Sequence, residues 1–97
     1  MNSPVNTPST QPVARAIETD LRQALQPLRL DVQDDSHLHA GHAGAREGGH
    51  YTVRIVSERF RGLSPVARHR LVYHVLGSLS ARGIHALAID ARAPEDA

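Results

Sequence analysis

Apolar residues recur along this chain at two different periods, and the switches between them mark out its elements. Val13, Ile17, Leu21, Ala24 and Leu25 fall at helical spacing, Pro12 suits a first helical turn, and Glu18 can pair with Arg22 one turn on. This spacing predicts a helix from Val13 that stops before Pro27. Leu28, Leu30 and Val32 then alternate with Arg29, Asp31 and Gln33, the period-two pattern of a strand with one buried face. Tyr51, Val53 and Ile55 repeat that alternation with Thr52 and Arg54, in a run rich in branched and aromatic residues. The simplest pairing of the two strands is an antiparallel hairpin around a long loop, and a loop of that length in a small domain is more often functional than idle.

Ser64-Pro65 reads as an N-cap followed by proline at the first position of a second helix. Its stripe is Val72, Val75, Leu76 and Leu79, with Arg70, His74 and Ala81 pointing away and Gly83 closing it. Residues 84 to 91 form a third strand. It must lie parallel to the second, because strand–helix–strand crossovers within one sheet are right-handed and parallel. The predicted order is α-β-β-α-β, with Val53, Ile55, Val72, Leu76, Leu87 and Ile89 buried and Pro94 to Ala97 leaving only a stub for a final helix.

Composition adjusts this picture at the N-terminus. Apart from Met1 and Val5, residues 1 to 12 are Ser, Thr, Asn and Gln with three prolines, too polar to offset the entropy of ordering them, so a disordered tail is expected before one domain over 13 to 97. No apolar run approaches bilayer length and the N-terminus lacks the pattern of a secretory signal, which predicts a cytoplasmic protein without a membrane partner. Eleven basic against 10 acidic residues give a net charge of +1, which argues against nucleic-acid binding through overall charge. With no cysteine there is no disulfide framework, zinc ribbon or thiol nucleophile.

Candidate chemistry concentrates in residues 34 to 50. His37, His39, His42 and His50 are four of the 7 histidines, on a segment too glycine-rich for a helix or strand. Such residues are more commonly solvated loop positions, yet neutral imidazole is a good ligand for transition metals, and four on one loop make metal or cluster ligation the first functional hypothesis. Further ligands would have to be other histidines, carboxylates or groups from a partner. His85 shares strand parity with Leu87 and Ile89, which places it on the more apolar side. On composition alone it reads as a half-buried histidine hydrogen-bonded to backbone.

Arg68-His69-Arg70 opens the second helix, and with Arg54, Arg59 and Arg61 it sets five arginines against the single Glu58 within residues 54 to 70. Such a run is usually a solvated, salt-bridged face, and the alternative is a phosphate-contacting patch. Stacking aromatics are scarce, with one Phe and two Tyr. Arg68 also falls near the end of the apolar stripe, where a carboxylate could hold it. Catalysis ranks below binding: a triad around Ser36 would lack a rigid elbow and an oxyanion pocket, and the histidine spacing matches no helical zinc pair.

Four segments resemble the BolA family: Asp34-Asp35-Ser36 followed by histidine, Val56-Ser57-Glu58-Arg59-Phe60-Arg61-Gly62, Ser64 to Tyr73 with its Arg-His-Arg, and Ile84-His85-Ala86-Leu87-Ala88-Ile89. The resemblance implies an α+β, class II KH-like fold, with a three-stranded mixed sheet and both helices on one face. It also implies a bacterial-type protein, monomeric or weakly dimeric, that pairs with a monothiol glutaredoxin and its glutathione around a shared [2Fe-2S] cluster. In that family the histidine matching His85 is a cluster ligand. His39 matches the loop histidine of similar sequences as second ligand, His42 could substitute, and His50 is a third candidate. A chain with no thiolate fits the division of two nitrogens from here and two sulfurs from elsewhere, as in a Rieske centre. Family members are also described as DNA-binding transcriptional regulators, for which Arg68, His69 and Arg70 are the residues of choice.

Overall fold

The computed structural model describes residues 12–36 and 48–97. Helix α1, Pro12–Leu25, turns Ile17, Leu21 and Leu25 inward at a spacing of four. It ends at Gln26, whose φ of 45° leaves the helical region while its N–H still bonds the Arg22 carbonyl, and Pro27 prevents continuation. Strand β1, Arg29–Asp34, pairs antiparallel with β2, Gly49–Val56, in the register Leu30↔Ile55 and Val32↔Val53. Helix α2, Pro65–Leu76, is capped by the Ser64 side chain, which accepts from the Ala67 N–H at 3.1 Å. Strand β3, Ile84–Arg92, then lies parallel to β2, giving the sheet order β1-β2-β3. The order is α-β-β-α-β with a mixed sheet, as the pattern required.

The core lies between the helices and one face of the sheet. Tyr51, Val53 and Ile55 of β2 meet Ile17 and Leu21 of α1 and Val72 and Leu76 of α2 in one cluster. Of the six residues expected in the core, Val53, Ile55, Val72 and Leu76 are buried. Leu87 and Ile89 are only partly so, because β3 is an edge strand with neighbours on one side alone.

Two features depart from the expected pattern. Helix α2 stops at Leu76, not near Gly83: Gly77, at φ 70°, caps it, and a separate turn of 3₁₀ helix at Ser80–Arg82 follows. The residue at that break must take a left-handed conformation, which glycine adopts without strain. The guanidinium of Arg82 then donates to the Leu76 carbonyl and to Asp20, pinning the turn against both helices just ahead of β3. The second feature is Phe60, fully buried within the Glu58–Phe60 3₁₀ turn, where the sequence shows only a connection. Beside it, buried Ser57 donates to the Leu25 carbonyl at 2.6 Å, and its backbone N–H donates to the Arg92 carbonyl at 2.9 Å, tying α1, β2 and β3 together.

Beyond β3, Pro94–Asp96 folds into a 3₁₀ turn clasped by arginines. Arg68 Nη1 donates to Asp96 at 2.7 Å and Arg61 Nε to Glu95 at 3.0 Å. The Arg68 hydrogen bond is the main cause holding the Asp96 carboxyl below its ordinary range, and a backbone N–H and Arg61 do the same for Glu95. A depressed carboxylate stabilises the fold above its unfolded-state value and loses that contribution as pH falls through the folded one. The clasp should therefore persist at neutral pH and release only on acidification below about pH 4, where free carboxylates protonate. Side-chain carboxyl shifts of Glu95 and Asp96, followed by NMR titration, should move at lower pH than those of an unfolded peptide of the same sequence. Titration at the peptide values would contradict the clasp.

Candidate metal centre

Strand parity puts Thr52 and Arg54 on the face of the sheet away from the helices, and His50 shares that face at the start of β2. Across the β2–β3 pairing, Gly49 lies opposite Ile84 but His50 lies opposite Ala86, so β3 carries one extra residue at His85. This bulge breaks the parity from which His85 was expected on the apolar side with Leu87 and Ile89. A bulged strand re-aims its side chains. Ile84 stays buried, while His85 is exposed and brings its ring to 5.2 Å from the ring of His50, at an interplanar angle of 49°.

That separation bears on ligation. Two imidazoles bound through nitrogen to one tetrahedral metal, at about 2 Å each, hold their ring centroids roughly 5 Å apart. The observed spacing fits, and small exposed residues, Ala86 and Ala88, lie alongside on β3. Among the described residues no group of three or more His, Cys, Asp or Glu could hold a metal ion, so a centre here needs donors beyond this pair. His39 and His42, expected as second ligand and its substitute, lie outside the described residues, as does His37.

The backbone that presents His50 is held from both sides. Its carbonyl accepts from the Asp35 N–H at 2.7 Å, and its N–H donates to Ser36 Oγ at 3.0 Å. Ser36 is itself set by a turn in which its N–H donates to Asp34 Oδ1 at 2.8 Å, and the Asp35 carboxylate accepts from Thr52 Oγ1 at 2.6 Å. Tyr51 lies buried beneath, its hydroxyl next to Ser36 over Gly49; burial pushes its pKa up, the Asp34 charge adds to this, and Ser36 opposes it. On the other side, the Gly49 N–H donates to the Gly83 carbonyl at 2.9 Å, and a Cβ at Gly48 would lie 2.8 Å from that same oxygen. The glycine pair ahead of His50 thus lets β2 enter against the start of β3. Reading the sequence for ligands alone passes over these supports; the adjacent Gly48-Gly49 was their one visible sign.

Arg54 and Arg61 form the salt-bridged face expected of the arginine run, and Arg68 is held by a carboxylate, as its place near the apolar stripe suggested. Arg68 is mostly enclosed, donating to the Leu63 and Ala91 carbonyls as well as to Asp96. Arg54 pairs with Asp31, and Arg61 with Glu58 and Glu95. His69 and Arg70 stand exposed on α2.

A family model for BolA-like protein matches residues 21–96 of this chain. The chain belongs to the BolA family. It is 48% identical over 83 residues to BolA-like protein 1 of Bos taurus, a match covering 86% of this chain and 60% of the bovine one. Against SufE-like protein 1, chloroplastic/mitochondrial, of Arabidopsis thaliana it is 42% identical over 86 residues, covering 82% of this chain and 23% of that protein. The chain thus spans less than two thirds of the length of either relative. The structure of the BolA domain of SufE1 from Arabidopsis thaliana superposes with a TM-score of 0.76 at 43% identity, covering 87% of this chain and 94% of that one. The two helices and the three-stranded mixed sheet match the BolA fold. No helix among the described residues is long and apolar enough to cross a membrane.

Proposed function

We propose that this BolA-family protein contributes two histidine nitrogens to a [2Fe-2S] cluster shared with a monothiol glutaredoxin, acting as a binding partner in iron–sulfur trafficking or iron-dependent regulation. The observation that carries the reading is the His50–His85 pair: two imidazoles at a separation suited to one iron, on an exposed sheet face of a chain that has no cysteine. A cluster needs thiolate to balance the charge of its irons, so the remaining donors come from the partner's cysteine and from glutathione. The cluster is cargo that both proteins hold. His85 is the first nitrogen donor and His50, beside it on the sheet, the second, with His39, the loop histidine that the family resemblance favours, and its substitute His42 as competing donors from between β1 and β2.

The test is titration of the full chain into cluster-loaded monothiol glutaredoxin, followed by visible absorption and circular dichroism. Replacement of thiolate by imidazole at one iron should shift both spectra with a defined end point. A series of His50→Ala, His39→Ala and His42→Ala then separates the donors, the true second ligand being the one whose loss removes the shift. A wild-type chain that leaves the glutaredoxin spectrum unchanged would sink the reading.

A further inference from the structure

We propose that Ser36 and Tyr51 are positioning residues for the histidine pair, their neighbouring hydroxyls setting the His50 backbone and with it the distance between the two imidazoles. The inference rests on the cluster reading for its purpose, but its geometry stands separately. Strand β1 ends at Asp34, and just beyond it the Asp35 N–H still bonds the His50 carbonyl at 2.7 Å. Ser36 Oγ accepts from the His50 N–H at 3.0 Å and so carries the pairing one bond beyond the Asp35 backbone. Tyr51, whose ring is enclosed in the core, brings its hydroxyl beside that of Ser36 over Gly49.

Gly49 makes this closure sterically allowed. A Cβ there would fall 2.6 Å from both Ser36 Oγ and Tyr51 Oη, so the two hydroxyls occupy the space that any other residue would fill. The arrangement sets a core hydroxyl beside the serine that holds the His50 backbone. Its effect is to pre-set one imidazole against the other, which lies on a separate strand. A pre-set pair gives up less conformational freedom when it meets a metal centre, and outer partners that orient ligands in this way commonly matter about 10–100-fold in metal affinity.

Tyr51→Phe removes only the hydroxyl, and Ser36→Ala removes the acceptor for His50. Two measurements on the full chain decide the matter. In the metal-free protein, nuclear Overhauser contacts between the His50 and His85 rings should be clear in wild type and lost or weakened in both variants, with far-ultraviolet circular dichroism unchanged. In the glutaredoxin titration, both variants should need about 10–100-fold more protein to reach half conversion. Should Ser36→Ala fail to fold, Tyr51→Phe, which keeps the buried ring, decides alone. Variants that keep the ring contacts and convert at the wild-type concentration overturn the positioning role while leaving the cluster reading intact. A wild-type chain that causes no conversion overturns the cluster reading instead, and the ring contacts of the metal-free variants still decide whether Ser36 and Tyr51 hold the pair.

Discussion

His85→Ala should abolish the spectral shift that the wild-type chain imposes on a cluster-loaded monothiol glutaredoxin, and should do so without unfolding the protein. The two halves of this expectation come from the same bulge. Because β3 carries an extra residue opposite the Gly49–His50 step, the His85 side chain is exposed while Ile84 before it is buried. Removing an exposed ring typically changes stability by no more than about 0.5 kcal/mol. On the proposed reading the ligation loss is much larger, since one of the two proposed nitrogen donors goes and even the loss of an outer partner to a ligand costs about 10–100-fold in affinity. Thermal melts and the optical titration, run on the same preparation, check both halves. A variant that melts like wild type and still converts the cluster would remove His85 from the site.

Phe60→Ala should cost about 3–5 kcal/mol, the range for truncating a fully buried aromatic. Phe60 has no exposed surface and is the largest fully buried side chain. It also sits in the link between β2 and α2, where its N–H bonds the Ser57 carbonyl at 3.2 Å and its carbonyl accepts from Leu63 at 3.1 Å. Truncation therefore empties the core at the point where the sheet is joined to the second helix. A domain of this size has a total stability on the order of 5–15 kcal/mol, so the variant should be at or near unfolding at room temperature. Phe60→Leu, which keeps most of the volume, should lose less than about 1.5 kcal/mol. Urea titration of the two variants gives the comparison, and a loss below about 1 kcal/mol for Phe60→Ala would show that the site collapses around the gap.

The sequence by itself determined the element order and the strand directions. Periods of 3.6 and 2 are written locally by which side chains are apolar, and the parallel course of β3 follows from the handedness of a crossover. It also singled out His85, through the segment around it, and the histidines between β1 and β2. Local signals placed the Ser64 cap and the end of α1 at Pro27, since both depend on residues in direct succession. The burial of Phe60 was not legible, because an aromatic in a short polar connection carries no period, and its pocket is assembled from elements distant in the chain. Nor was the bulge at His85, since register is a relation between two strands and one extra residue there reverses the inference drawn from parity for His85 alone. The enclosure of Arg68 needed the return of the chain's last turn onto α2 to supply Asp96. The pairing of His50 with His85, which are 35 positions apart, was decided only where Gly48 and Gly49 let β2 approach Gly83 and where Ser36 closes over Tyr51. Those contacts have no local signature, because each is a distance between backbones that meet only after the sheet has formed.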